Sequence, residues 1–231
     1  MADVSRVILF DIDGTLIHSA RAGIRGMNAA FLSLYGVPGA LDHVPLAGRT
    51  DRAIVTDGFK AIGREPDEAG IRAVRDAYFE HLPIELARPL PDSRVLPGVF
   101  ELLDALDGRD DVSVGLLTGN FERGASIKLG HFRLWSRFTF GAFGDDHHDR
   151  RALVPIAMDH VARNGASVPA SRVVIIGDTP LDVDCAQVHG AKCIGVATGP
   201  FSSADLSAAS ADLVVESLED TNGVLQWVDG L

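Results

Sequence analysis

The stretch VILFDIDGTL, at residues 7–16, decides the fold of this 231-residue chain. Its first four residues form a short, continuous apolar run, which is typical of a buried strand in a parallel sheet. Two acids, Asp11 and Asp13, follow that strand directly. Carboxylates this close repel each other and lose hydration when they are partly buried, so we expect a positive charge beside them.

Apolar runs of the same kind recur along the chain, at 112–117, 173–176, 193–196 and 213–215. Helical patterns lie between them, at about 98–106, 121–130 and 153–163, and a further helix starts at Pro180 with Thr179 as its N-cap. Buried strands that alternate with helices predict an α/β fold, with a doubly wound parallel sheet covered on both faces.

Residues 18–92 interrupt this alternation. Apolar residues recur there at helical spacing in two segments, Val55, Phe59 and Ile62 behind Asp51, and Ile71, Val74, Tyr78 and Leu82 behind Asp67. The proline-rich stretch 87–98 that follows is typical of a linker. We therefore predict an α/β core made of residues 1–17 and 93–231, and an inserted α-helical cap at 18–92.

The composition argues against several classes of protein. A net charge of −11 disfavours nucleic acid or an anionic membrane as the main partner. The chain has no apolar run long enough for a transmembrane helix, and residues 1–14 lack the apolar region of a secretory signal. Cys185 and Cys193 fit reduced core residues, so we expect a cytoplasmic protein. We expect either a monomer or a homodimer.

Three of the predicted strands end in polar residues. These ends are DIDGT at 11–15, TGN at 118–120 and GDTPLD at 177–182. Ligands of open α/β sheets bind beyond the carboxyl ends of the strands, so Asp11, Asp13 and Asp178 should meet at one edge. Three carboxylates there need a cation, and hard oxygen ligands with open positions suit Mg²⁺.

The motifs DIDGTL, LLTGN and IIGDTPLDVDCA, in this order, resemble motifs one, two and four of the haloacid-dehalogenase-like hydrolases. The resemblance covers nearly the whole chain and is greatest to phosphoglycolate-phosphatase-like members with a helical cap. It implies a Mg²⁺-dependent phosphatase of small phosphorylated metabolites, phosphoglycolate-like or sugar phosphate monoesters, working through an aspartyl phosphate. The alternatives are a phosphomutase of the same fold, a non-catalytic metal-binding module, and a dehalogenase, against which Asp13 and Asp178 count.

The resemblance also implies roles for the first two motifs. Asp11 would be the nucleophile and a metal ligand. Asp13 would be the general acid and base, and its backbone carbonyl would bind the metal. Thr118, with Gly119 and Asn120, would hold the phosphoryl oxygens. Each motif also has a structural interpretation, because Asp13 could begin a turn and residues 118–120 could cap a helix.

In the last motif, the resemblance makes Asp178 a side-chain metal ligand. Asp182, one helical turn later, would support the metal. The segment from Thr179 to Asp182 is at the same time a capping-box pattern, in which an acid is favourable on structural grounds alone. Metal support and capping are compatible, so both interpretations stay open.

The family's third motif, a basic residue that pairs with the nucleophile and the phosphoryl oxygens, has no Lys-Pro pattern here. Arg150 and Arg151 lie at a suitable distance before Asp178, and an arginine could bind phosphate through two parallel hydrogen bonds. Lys128 is the rival, but it would reach the site only if its helix starts late or bends. We favour Arg150.

Two other stretches carry candidate sites. In GRTDRAIV, at 48–55, Arg49 and Arg52 could face the active site, where Arg49 would read the substrate's own anionic group; a solvated turn is the alternative. In GDDHHDRR, at 144–151, the adjacent His147 and His148 lack the spacing of a helical zinc pair, so a solvated loop is favoured over a zinc site.

Overall fold

A computed structural model describes residues 4–231 of the chain. The strands, numbered in chain order, are β1 (Arg6–Phe10), β2 (Ile17–Ser19), β3 (Ser93–Val95), β4 (Val112–Leu117), β5 (Gly141–Ala142), β6 (Val173–Gly177), β7 (Lys192–Val196) and β8 (Leu213–Val215). The helices are α1 (Ala22–Tyr35), α2 (Asp51–Ala61), α3 (Glu68–Leu86), α4 (Val99–Leu106), α5 (Glu122–His131), α6 (Leu153–Arg163), α7 (Pro180–His189), α8 (Ser203–Ala208) and α9 (Thr221–Asp229).

Six strands form one parallel sheet in the order β5-β4-β1-β6-β7-β8. The first strand lies between β4 and β6, and Leu9 is in register with Gly115 on one side and Ile175 on the other. The strand order reverses at β1, so the crevice beyond its carboxyl end is where an open α/β sheet binds ligands. The predicted fold class is confirmed, and the five predicted strands are present.

The side chains of β1 alternate between two apolar cores. Ile8 and Phe10 pack in the core on one face of the sheet, and Val7 and Leu9 pack in the core on the other. All four are buried, because helices cover both faces. Cys185 and Cys193 lie in the second of these cores as free thiols, as the sequence predicts.

The chain between β1 and β4 forms a helical unit with its own apolar cluster, in which Phe31, Phe59 and Tyr78 are buried. The helices start where the sequence indicates, because Thr50 caps α2 and Asp67 caps α3 through side-chain hydrogen bonds. Within residues 4–231, no helix is long and apolar enough to cross a bilayer.

Two short strands at the base of this unit were not expected from the sequence. The strands β2 and β3 pair antiparallel, with Ile17 opposite Val95 and Ser19 opposite Ser93. The domain limits predicted at 17/18 and 92/93 thus fall within or beside this ribbon. The division of the chain into core and cap stays a prediction.

Candidate active site

A cavity of about 510 Å³ lies beyond the carboxyl ends of β1, β4, β6 and β7 and is covered by the helical unit. Most of the predicted site residues line it, namely Asp11, Asp13, Arg49, Thr118, Gly119, Asn120, Lys128, Arg150 and Asp178. Asp182 is fully buried and bonds to Arg150 in the cavity wall, whereas Arg52 and Arg151 do not line the cavity. The sheet therefore brings the predicted motifs together at one edge.

Three buried carboxylates, those of Asp11, Asp178 and Asp182, offer oxygens that all lie within 4.8 Å of one another. The Arg150 guanidinium is buried beside them, with its Nη2 atom 3.2 Å from Asp11 Oδ1 and 2.5 Å from Asp182 Oδ1. No other ion pair reaches this acidic group within the described part of the chain. One cation thus faces three buried acids.

The pKa values reflect this lack of positive charge. Burial raises the pKa of Asp11 to about 6, although the Arg150 guanidinium acts in the opposite direction. Burial, and then the charges of Asp11 and Asp182, raise the pKa of Asp178 well above its ordinary value. A second cation would keep these groups ionised, and the all-oxygen donor set fits Mg²⁺.

Asp182 has a structural role that the sequence indicates. Its Oδ2 atom accepts hydrogen bonds from the backbone N–H of Thr179 at 3.0 Å and from the Thr179 hydroxyl at 2.8 Å. This capping box starts α7, so the capping interpretation is confirmed. Both oxygens of Asp182 have protein donors, because Arg150 binds the other one.

The second acid of the first motif lies in a different environment. Lys128 Nζ is 2.5 Å from Asp13 Oδ2, the Asn120 side-chain amide donates to the same oxygen at 3.0 Å, and the Ser19 hydroxyl donates to Oδ1 at 3.3 Å. Burial alone would raise the pKa of Asp13, but the Lys128 ammonium and these hydrogen bonds hold it below its ordinary value.

Lys128 reaches Asp13 because α5 starts late, at Glu122. Six residues of helix correspond to about 9 Å along the axis, and helical side chains lean back toward the N-terminus. The Lys128 ammonium also donates to Asn120 Oδ1 at 2.6 Å. Lys128 and Arg150, which the sequence presents as rivals, therefore both lie in the site, each beside a different acid of the first motif.

The turn after β4, at residues 118–120, lies against both an acid of the first motif and the helical unit. The Thr118 hydroxyl accepts a hydrogen bond from the Asn120 side-chain amide at 2.8 Å. Gly119 packs so closely on the backbone carbonyl of Arg49 that a Cβ atom would overlap it. The interpretation of residues 118–120 as a helix cap is wrong, because Phe121 occupies the N-cap of α5.

Comparison with known proteins agrees with this geometry. The family described as haloacid dehalogenase-like hydrolase matches residues 8–187. This chain belongs to that family. Two curated relatives are a phosphoglycolate phosphatase of Pseudomonas fluorescens, 27% identical, and one of Agrobacterium fabrum, 24% identical. The alignments cover 92% of this hydrolase in both cases, and 77% and 89% of the relatives.

A solved structure, that of CbbY from Rhodobacter sphaeroides in complex with phosphate, superimposes on this hydrolase with a TM-score of 0.72. The match covers 94% of this chain and 96% of that one, at 19% sequence identity. At this identity the likeness shows a shared fold. The family resemblance inferred from the three sequence motifs is confirmed by the family match.

The hydrolase also has site residues that sequence reasoning missed. Asp51 is buried in the cavity wall, accepts a hydrogen bond from the Phe121 backbone N–H at 2.9 Å, and donates its own N–H to Gly119 O at 2.6 Å. Burial raises the pKa of Asp51 to about 7, although the Lys128 ammonium acts against it. From the sequence, Asp51 was recognised only as a helix start.

The loop after β7 is the second feature that was missed. Its sequence, GVATGP at 195–200, has two glycines that lack the spacing of a known ligand-binding fingerprint. Gly14 and Gly199 face Asp178 so closely that a Cβ atom on either would overlap its carboxylate. The Thr198 hydroxyl donates to Gly14 O at 2.6 Å and ties this loop to the first motif. The sequence could have indicated this loop, because it follows the predicted strand that ends at Val196, and ligands bind beyond the carboxyl ends of such strands.

Gly199→Ala is expected to displace the Asp178 carboxylate and to lower kcat/KM, by roughly 10²-fold if the shift approaches 1 Å. Gly130→Ala is the matched control, because a Cβ atom there meets open space on a helix. Steady-state kinetics over a Mg²⁺ titration check this prediction. A Gly199→Ala enzyme with the rate and Mg²⁺ half-saturation of the wild type would contradict it.

The remaining candidates lie as follows. The Arg49 guanidinium donates to Asp57 at 2.7 Å, so an acid of the helical unit already offsets its charge. Arg52 pairs with Glu68, and Arg151 pairs with Asp184 at 2.6 Å. The role of Arg49 in reading the substrate stays a prediction.

The histidine pair lies in a largely exposed loop, where the two rings stack with their centroids 4.5 Å apart. His147 Nδ1 accepts a hydrogen bond from the backbone N–H of Asp149 at 2.9 Å. Among residues 4–231, the three buried aspartates form the one group of three or more potential metal ligands.

Proposed function

We propose that this hydrolase is a Mg²⁺-dependent phosphatase that hydrolyses a small phosphate monoester, phosphoglycolate-like or a sugar phosphate. The observation that carries the proposal is the contrast between two acids two residues apart. Asp11 lies beside Arg150 and the two other buried acids, Asp178 and Asp182, whereas Asp13 lies beside Lys128. Environments this different suit a nucleophile and a proton carrier. Relatives named phosphoglycolate phosphatases support the reaction class.

In the first half-reaction, a carboxylate oxygen of Asp11 attacks phosphorus and forms an aspartyl phosphate. The ester P–O bond breaks, and the leaving oxygen takes a proton from Asp13. Water then attacks the phosphorus and gives a proton to Asp13. The bond between phosphorus and Asp11 breaks, which releases inorganic phosphate and regenerates the carboxylate.

Lys128 links substrate binding to the proton state of Asp13. Without substrate, the ammonium pairs with Asp13 and lowers its pKa, which is unfavourable for an acid that must donate a proton. A phosphoryl group that enters the cavity competes for the same ammonium. As Lys128 turns to the phosphoryl oxygens, Asp13 loses this stabilisation of its charge and becomes a better proton donor.

The metal would be held by the side chains of Asp11 and Asp178 and by the backbone carbonyl of Asp13, with Asp182 behind them. When bound, Mg²⁺ supplies charge neutralisation and polarisation of the phosphoryl group. The buried Arg150 guanidinium holds the Asp11 carboxylate in place through their ion pair. Thr118 and the backbone of Gly119 and Asn120 complete the phosphoryl site.

Removal of the metal is the direct test. We expect EDTA to stop phosphate release from a panel of phosphorylated metabolites, and added Mg²⁺ to restore it. Asp178→Ala should raise the Mg²⁺ requirement or remove activity. Asp184→Ala, on the helix that follows Asp178, is the control, because Asp184 pairs with Arg151 outside the cavity. Undiminished hydrolysis in EDTA would refute the metal-dependent mechanism.

Product analysis in the same assays separates hydrolysis from phosphoryl transfer. A phosphatase releases one inorganic phosphate per substrate consumed, whereas a phosphomutase returns an isomeric sugar phosphate. A cytoplasmic location is also proposed, because two buried free thiols are typical of proteins in reducing compartments.

A further inference from the structure

One positive residue of the cavity has neither a role in the chemistry proposed above nor an ionic partner among the described residues. Within residues 4–231, the lysine and arginine residues that line the cavity are Arg21, Arg49, Lys128 and Arg150. Lys128 pairs with Asp13, Arg150 with Asp11 and Asp182, and Arg49 with Asp57. Arg21 is exposed and has no ion pair or side-chain hydrogen bond in the described part of the chain.

The backbone at this position is strained. Ala20 and Arg21 have φ values of 47° and 63°, so two consecutive residues with side chains adopt the left-handed conformation that favours glycine. The turn is held by Arg25, whose guanidinium donates to Ala20 O and pairs with the buried Glu85 at 2.7 Å. Strain that the surrounding structure enforces at a cavity wall is typical of a functional position.

The location of Arg21 relates it to the leaving group. Arg21 follows Ser19 by two residues, which is at most about 7 Å of chain, and the Ser19 hydroxyl donates to Asp13. Under the mechanism proposed above, Asp13 protonates the leaving oxygen of the substrate. Arg21 therefore lies on the side of the phosphoryl site that the alcohol part of the ester would occupy.

We propose that Arg21 binds a second anionic group, a carboxylate or a second phosphate, carried by the leaving alcohol. The proposal rests on the proposed phosphatase function and narrows it to substrates with two anionic ends. Because Arg21 has no ionic partner, an anion can bind to it without breaking an existing ion pair. Its planar guanidinium can bind either a carboxylate or a phosphate through two parallel hydrogen bonds. Arg49, in contrast, would have to break its ion pair with Asp57 before it could bind the same group.

The test compares phosphate monoesters of similar size that differ in charge. These are 2-phosphoglycolate, its amide, which is neutral at the end remote from the phosphate, and ethylene glycol bisphosphate. The two substrates with a second anionic end separate carboxylate from phosphate recognition. Arg21→Ala should lower kcat/KM for at least one anionic substrate by roughly 10- to 100-fold and leave the neutral amide within about twofold. Arg72→Ala, an exposed arginine of α3 outside the cavity, is the control and should match the wild type.

A second variant keeps the test independent of folding. Arg21→Gly relieves the left-handed strain, so it should raise the midpoint of thermal unfolding, by about 2–4 °C, while it loses the preference for anionic substrates. A structural role for Arg21 would not combine greater stability with lost discrimination. Arg49→Ala, assayed in parallel, tests the rival arginine.

The same ligands are titrated into an Asp11→Asn protein and its Arg21→Ala double variant by calorimetry. If the wild type hydrolyses none of the esters, the proposed function fails, while the binding preference still tests Arg21. Equal losses for neutral and anionic ligands in the Arg21→Ala variants, or no loss, would overturn the Arg21 proposal alone.

Discussion

Asp11→Asn is expected to abolish turnover while the protein stays folded. An amide cannot form the acyl phosphate, and no other carboxylate replaces Asp11, since Asp178 and Asp182 are fixed by Thr15, Thr179 and Arg150. The substitution also removes a buried charge whose pKa of about 6 shows that burial disfavours it. Fold stability should therefore be maintained, because Arg150 keeps Asp182 as its partner.

The measurement is phosphate release, with thermal unfolding as the check on folding. Asp13→Asn is the companion variant, because it leaves the nucleophile in place and removes the proton carrier together with its ion pair to Lys128. Its rate should fall by about 10²–10⁴-fold. The fall should be smaller for an ester whose leaving group needs no proton, such as p-nitrophenyl phosphate. Full activity of Asp11→Asn would end the covalent mechanism.

Three of the acids that line the cavity could be predicted because they lie at the ends of strands. Asp11, Asp13 and Asp178 follow apolar runs that are typical of buried strands, and parallel strands deliver such residues to one edge of the sheet. This inference needs no knowledge of side-chain packing. It needs only the pattern of buried and polar residues, and for that reason the sheet and the residues at its edge were accessible from the sequence.

Residues that reach the site from outside the strand ends were less accessible. Lys128 depends on where α5 begins and on how its side chain leans, and the sequence left both open. Asp51 and Arg21 lie in the helical unit, whose placement over the sheet is set by long-range packing between its apolar cluster and Phe121. The ribbon of β2 and β3 was missed because three residues per strand give too short a pattern.

Arg150→Ala and Lys128→Ala are expected to lower kcat by orders of magnitude, roughly 10²–10³-fold each, since each removes a preorganised cation from the phosphoryl site. The two variants should differ in stability. Loss of Arg150 leaves Asp11 and Asp182 without a cation, and Asp182 is completely buried. Breaking a buried pair in this way costs about 3–5 kcal/mol. Loss of Lys128 leaves Asp13, whose side chain is 41% exposed and able to regain water, so the cost should be smaller.

Chemical denaturation and steady-state kinetics of the two variants, with Arg151→Ala as the control, show whether Arg150 and Lys128 both act on the phosphoryl group or only one of them does. Arg151→Ala should behave like the wild type, because Arg151 is half exposed and pairs with Asp184 away from the cavity. Arg150→Lys should recover stability more than rate, since an ammonium keeps the charge beside Asp11 and Asp182 but not the planar fork of hydrogen bonds. A near-normal kcat in one of the alanine variants would assign the phosphoryl cation to the other residue alone. Near-normal rates in both would mean that neither cation acts on the phosphoryl group, and the pairing of each with its acid would then be structural.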